Sequence, residues 1–146
     1  MTTRWRPEFD PNYLYFVTTK AVGYRHLFQR DIMKRIVADA MYTATILGSS
    51  RLYAFVIMPN HVHVLFRPLD KNRLADILKS WKGFTAYEIN KHIGRSGTLW
   101  QEEYWDRLIR DEQHFLRCAT YIRSNPVKGG LREREYVFEN YLENTE

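Results

Sequence analysis

His61 and His63 stand two positions apart in the stretch Phe55-Val-Ile-Met-Pro-Asn-His-Val-His63, where apolar runs flank Met58-Pro59-Asn60. Pro-Asn between apolar runs is a turn signal, so the stretch predicts two strands, over 51–58 and 61–67, joined by a tight turn. Side chains alternate along a strand, placing Val62, Val64 and Phe66 on one face and His61, His63 and Leu65 on the other. Neutral imidazole is a common ligand of divalent ions, and two on one face can hold a single metal. Two ligands do not by themselves make a site, and the pair would equally suit a solvated strand face.

A second constellation lies near the C-terminus, in Tyr121-Ile-Arg-Ser-Asn125. Asp111 reads as the cap of a helix running to about residue 124, where Asn125-Pro126 stops it. Tyr121 and Asn125, four apart, are neighbours on one helical face, with Cys118, Arg117 and His114 further back. Phe115, Ala119 and Ile122 make the adjoining stripe that would dock the helix. The Asn amide oxygen could join two imidazoles on a hard divalent ion and leave positions open for a phosphate oxygen. A tyrosine one turn earlier would then stand beside that phosphate as a nucleophile. Tyrosine ordinarily ionises near ~10, so it needs a metal field or a neighbouring base to activate it. An amphipathic tyrosine at a core margin is the plainer alternative.

The remaining elements must bring these groups together. Residues 1–12 read as an irregular lead-in, and 13–19 as a strand rich in aromatic and β-branched residues. A helix is expected over 30–47, with Ile32, Ile36, Val37, Ala40 and Ala44 as its apolar stripe and Gly48 as its stop. Another is expected over 74–93, its stripe drawn from Leu74, Ile77, Leu78, Trp81, Phe84, Tyr87 or Glu88, and Ile89, with Gly83 a possible bend. Residues 99–110 read as extended. The order β-α-β-β-α-β is the α+β, ferredoxin-like split βαβ arrangement, an antiparallel sheet with helices on one face. The extra C-terminal helix is then free to cover the other face, where the histidines point. The fold alone decides no function.

Composition bounds the rest. A chain of 146 residues, 45% hydrophobic and 15% aromatic, suits one folded domain over 1–146 and excludes general disorder. Its one cysteine, Cys118, excludes a disulfide framework and a Cys-rich zinc site. No apolar run approaches a membrane span and no signal-peptide core is evident, so a cytoplasmic protein without a membrane partner is expected. The formal charge is +5, but residues 135–146 are purely acidic, leaving +9 on residues 1–134. That excess fits a polyanionic partner, although a solvated basic surface would carry it too. Lys79, Lys82, Arg107, Arg110, Arg123 and Lys128 are candidate phosphate contacts, and Trp81, Trp100 and Trp105 candidate stacking platforms for unpaired bases. Core packing is the competing role for Trp81 and Trp100.

Three blocks in series resemble the IS200-like, single-tyrosine transposases with a His-hydrophobic-His motif, and within them the REP-associated branch. They are Phe55 through His63, Trp100-Gln101 with Tyr104-Trp-Asp-Arg-Leu-Ile-Arg110, and Tyr121-Ile-Arg-Ser-Asn-Pro-Val-Lys-Gly-Gly-Leu131. The resemblance implies Tyr121 as nucleophile and His61, His63 and Asn125 as metal ligands. It also implies Mg²⁺ or Mn²⁺ as cofactor and single-stranded or hairpin DNA as partner, with the enzyme acting as a monomer or homodimer. The implied reaction leaves a 5′-phosphotyrosine link and a free 3′-hydroxyl. Beyond Leu131 the chain departs from the branch: Arg132 to Glu146 offers Tyr136, Phe138 and Tyr141 among glutamates, and no role is evident for this tail.

A non-catalytic single-strand-binding module of the same fold is the alternative, and it would bind nucleic acid without metal. A hydrolase using His-x-His-x-His is disfavoured because position 65 is leucine.

Overall fold

The hairpin forms around Met58-Pro59-Asn60. Strands β2 (Ser50–Met58) and β3 (His61–Pro68) run antiparallel with Met58 opposite His61. Strand β1 (Tyr15–Lys20) pairs antiparallel with β3, setting Thr18 opposite His63 and Lys20 opposite His61. Strand β4 (Trp105–Leu108) adds to the other side of β1. The chain is described here from a computed structural model covering residues 14–69, 71–128 and 137–139. The expected first strand thus begins two residues later, and Tyr13, like the lead-in 1–12, lies outside the described residues.

Helices α1 (Asp31–Ile46) and α2 (Leu74–Ile93) follow β1 and β3, completing the split βαβ order. Both pack on the sheet face that carries Val17, Phe55, Ile57, Val62, Val64 and Phe66. Their buried stripes differ in detail from the expected ones. In α1 the core positions are Met33, Ile36, Val37, Ala40 and Met41, while Ile32 is exposed. In α2, Phe84 and Tyr87 face outward and Thr85 is buried instead. The Thr85 hydroxyl donates to the Trp81 carbonyl and accepts from Trp100 Nε1 at 2.9 Å, so a polar side chain serves the core fully hydrogen-bonded. Trp81 and Trp100 are core residues, as their competing role required. Helix α2 runs unbroken through Gly83 and ends at Gly94, whose φ of 66° is the left-handed conformation that glycine adopts without a Cβ penalty.

Helix α3 (Glu112–Lys128) covers the opposite face. Asp111 Oδ1 accepts the His114 N–H at 2.8 Å, the expected cap. Phe115, Cys118, Ala119 and Ile122 pack on Leu14, Tyr53, Ala54, Val56, Met58 and Leu65. Burying Phe115 and Ile122 contributes about 1.5–3 kcal/mol each. One expectation fails here. The helix does not stop at Asn125-Pro126; it continues to Lys128 with Pro126 buried inside it. Proline lacks an N–H to give to the carbonyl four residues back, but one lost hydrogen bond in the last turns is offset by packing. The acidic tail also supplies structure: β5 (Val137–Glu139) pairs antiparallel with β2, giving the order β4-β1-β3-β2-β5.

A register shift between Leu52 and Ala54 marks a β-bulge in β2. It lets Tyr53 and Ala54 both join the α3-side core, while Leu52 and Phe55 serve the α1/α2 side. Among the described residues, no helix is long and apolar enough to cross a membrane.

Candidate functional site

The histidines sit on the central strand, on the face that α3 covers. Their rings are 4.8 Å apart, centroid to centroid, at 75°. Each has a partner that orients it. Asn60 Oδ1 lies 2.7 Å from His61 Nδ1, so that nitrogen donates and Nε2 carries the lone pair. Thr18 Oγ1 lies 2.7 Å from His63 Nδ1, and Phe16 stacks on the His63 ring at 5.6 Å and 13°. The turn that launches His61 is pinned from outside: the Ala21 N–H donates to Asn60 O and the Phe28 N–H to Pro59 O, each at 2.9 Å.

Helix α3 brings the second constellation to the first. The Tyr121 ring is 5.1 Å from that of His63 and 6.2 Å from that of Phe16, both edge-to-face. The Asn125 side chain is buried and close enough to His61 to act on its pKa. His61, His63, Tyr121 and Asn125 therefore meet, although 64 positions separate His61 from Asn125. Tyr121 is 42% exposed, so its ring is held on one side and open to the cleft on the other.

Both imidazoles are kept neutral. Burial lowers the His61 pKa, with help from the Lys20 ammonium and against the Asn125 hydrogen bond. Burial, then His61, then Lys20 push His63 down to about 3. His63 Nε2 is buried with no hydrogen-bond partner. An orphaned ring nitrogen on a neutral imidazole, beside a second imidazole and an amide, is a donor set that fits a divalent cation. Among the described residues no cluster of three His, Cys, Asp or Glu exists; the polar side chain nearest in kind to a third ligand at this site is the Asn125 amide.

The shifted His63 makes a stability prediction for the metal-free protein. Unfolded His63 takes a proton near ~6.5 and folded His63 only near about 3, so the unfolded chain binds more protons between these values. This contribution is fully present above pH ~6.5 and is lost as pH falls toward about 3, at up to about 1.4 kcal/mol per pH unit. Urea titrations of the chelated protein from neutral pH downward should show His63→Gln with a shallower slope than wild type. Parallel slopes would mean that His63 is not held neutral by the fold.

Beside the histidines opens a cleft of about 470 Å³ between α3 and the β4 edge. Trp105, Arg107 and Arg110 line it, as does Arg117 one turn before Tyr121. Burial raises the Cys118 pKa, and Arg107, Arg117 and Arg110 all act on it in the opposite sense. Burial, Arg110, Arg117 and Arg107 likewise lower that of His114, against Asp111. Three guanidinium groups thus converge on one stretch of α3. Lys20 adds a fourth cation, its Nζ 4.7 Å from the centre of the exposed Trp105 ring.

Of the expected phosphate contacts, Arg107 and Arg110 come to this cleft, as does the expected stacking residue Trp105, and Arg123 lies on α3, half-buried. Lys79 and Lys82 do not: α2 packs on the far face of the sheet, and both line a separate groove there. Lys128 ends α3 with its side chain outside the described part. Sequence reasoning missed Thr18 and Lys20. Only the β1–β3 register brings them beside the histidines, and no local signal carries it.

A split βαβ body with a polar site enclosed between its central strand and an added helix defines the class. The family profile described as "Transposase IS200 like" matches residues 14–125, and the chain belongs to that family. A Haemophilus influenzae protein provisionally described as a REP-associated tyrosine transposase is 31% identical over 90 residues, covering 55% of this chain and 51% of its own. The REP-associated tyrosine transposase of Escherichia coli is 29% identical over 80 residues, covering 53% and 44%. The chain spans about half the length of the curated relatives it matches. In fold it is similar to a REP-associated tyrosine transposase solved bound to a REP hairpin, with a TM-score of 0.67 at 18% identity over 90% of this chain and 76% of that one.

Proposed function

We propose that the chain is a metal-dependent single-stranded DNA endonuclease and strand transferase of the REP-associated kind, acting at hairpin-forming DNA. The observation that carries this reading is the meeting of Tyr121 with His63, whose buried Nε2 lacks a partner, at the mouth of an arginine-lined cleft. His61, His63 and Asn125 would hold Mg²⁺ or Mn²⁺, which when bound supplies Lewis-acid polarisation of a phosphate.

The chain's own residues do the rest. Arg107, Arg110 and Arg117 bind backbone phosphates, and Trp105 offers its exposed face to an unpaired base. The His63 and Phe16 rings pack edge-to-face with the Tyr121 ring and help to orient it beside the cleft. The Tyr121 oxygen forms a bond to phosphorus as the bond to the 3′-oxygen breaks. The tyrosine proton passes to solvent, and the departing 3′-oxygen gains one to become a free hydroxyl. The 5′-phosphotyrosine link conserves the bond energy, so attack by another 3′-hydroxyl rejoins strands and restores the tyrosine. A hairpin substrate is supported by the fold neighbour that is bound to one.

The test is incubation with a library of single-stranded DNA hairpins in Mn²⁺. Protein-linked fragments should accumulate, disappear with excess chelator, and compete better with single-stranded than with duplex DNA. Binding that steepens at low salt yet never yields an adduct would mark a binding module and overturn the enzyme reading.

A further inference from the structure

Lys79 and Lys82 line a groove of about 380 Å³ between α2 and residues 98–104, on the sheet face away from the histidines. Its floor is apolar, formed in part by Leu78, Leu99 and Trp100. The Lys82 ammonium is half-buried there. It donates to the Gln101 carbonyl at 3.2 Å and stands 5.2 Å from the Tyr104 ring centre, and among the described residues no carboxylate pairs with it. The one carboxylate among the groove's lining residues, Glu102, is outnumbered by Lys79 and Lys82, so the groove keeps a positive charge that suits an anion; burial lowers the Lys82 pKa.

Gly83 provides a second observation. It lines the same groove from the middle of a twenty-residue helix, where glycine is unfavourable. A Cβ built there meets nothing within 4 Å, and its backbone is not in the left-handed region, so the fold does not require glycine. What the missing side chain leaves is open space beside Lys79 and Lys82. Position also links the groove to the cleft. Tyr104 lines the groove and Trp105, the next residue, lines the Tyr121 cleft, at the start of the fully exposed strand β4.

We propose that this groove is a second binding site for single-stranded DNA. It takes a nucleotide of the strand that leaves the Tyr121 cleft over the β4 edge, with phosphate on Lys79 and Lys82 and base against the apolar floor that Gly83 keeps open. The inference deepens the nuclease reading and rests on it.

The test uses fluorescein-labelled oligothymidylates of about four and about twelve nucleotides, with anisotropy followed against salt. Wild type should bind the longer strand at least about tenfold more tightly. Gly83→Leu fills the groove and should erase most of that gain while raising the melting temperature; Gly83→Ala should raise it with a smaller loss of binding. Lys82→Gln should lower the salt slope by about 0.7 for the phosphate contact removed. Unchanged affinity for the longer strand in both Gly83→Leu and Lys82→Gln would overturn the groove's role, whereas a wild-type protein that forms no tyrosine adduct and binds neither strand would overturn the nuclease reading beneath it.

Discussion

Tyr121→Phe is expected to abolish the covalent protein–DNA adduct and cut cleavage on the order of a thousandfold or more, with DNA and metal affinity nearly unchanged. The substitution removes one oxygen. It leaves the ring against His63 and Phe16, and it leaves α3 docked through Phe115, Cys118, Ala119 and Ile122. Mass spectrometry of the wild-type adduct gives the complementary result: DNA should be attached at Tyr121. Tyr104 and Tyr87 are the informative decoys. Tyr104 lines the α2 groove and Tyr87 is exposed on α2, so neither shares the face of the histidines. Tyr136 is a third, lying outside the described residues. Attachment at any of them, or undiminished cleavage by Tyr121→Phe, would sink the assignment and leave the fold intact.

The second large effect concerns the metal. His61→Ala with His63→Ala should remove Mn²⁺ binding as measured by calorimetry, because Asn125 alone is a poor ligand for a divalent ion. A metal that binds only the folded chain stabilises it by about 2.7 kcal/mol at a hundred times its dissociation constant. Saturating Mn²⁺ should therefore raise the melting temperature of wild type by several degrees and leave the double variant unmoved. Asn125→Ala keeps both imidazoles, so it should need more Mn²⁺ and recover part of the activity when given it. The single His61→Ala variant separates metal loss from structural damage, since His61 is only half-buried whereas His63 is buried and stacked on Phe16. Equal Mn²⁺ affinity in wild type and the double variant would remove the histidines from the site.

Much of this site is written in short-range pattern. The two-residue period of a strand puts His61 and His63 together, the Pro59-Asn60 turn starts that strand, and the four-residue spacing on a capped helix pairs Tyr121 with Asn125. Each is local geometry, and each appears in the structure as the period demands. What the pattern could not carry was decided between elements. Seven consecutive buried positions from Leu52 to Met58 face two different cores, and only the bulge beside Tyr53 determines which residue serves which. Phe84 and Tyr87 fit a helical stripe but are passed over for Thr85, because the Trp100 indole needs an acceptor. Lys79 and Lys82 are candidate phosphate contacts on charge alone, which has no face; α2 carries them to the side of the sheet away from the histidines. The pairing of β5 with β2 depends on a tail whose glutamates conceal a three-residue strand.

If Tyr121 is the proposed nucleophile, the division of the interior into two separate apolar layers bears on when the chain could cut DNA. The layer under α1 and α2 draws on the sheet and the two helices that precede α3. The other layer closes only when α3 arrives, and contacts so distant in sequence form late and slowly. A chain with its first layer built and its last helix undocked therefore holds both imidazoles and no Tyr121 beside them. The same logic runs in reverse: local opening of α3 alone separates Tyr121 from His63 while the α1/α2 layer stays intact. On the proposed function, scission would thereby be tied to the docking of α3, and a chain with α3 undocked would bind strands without cutting them.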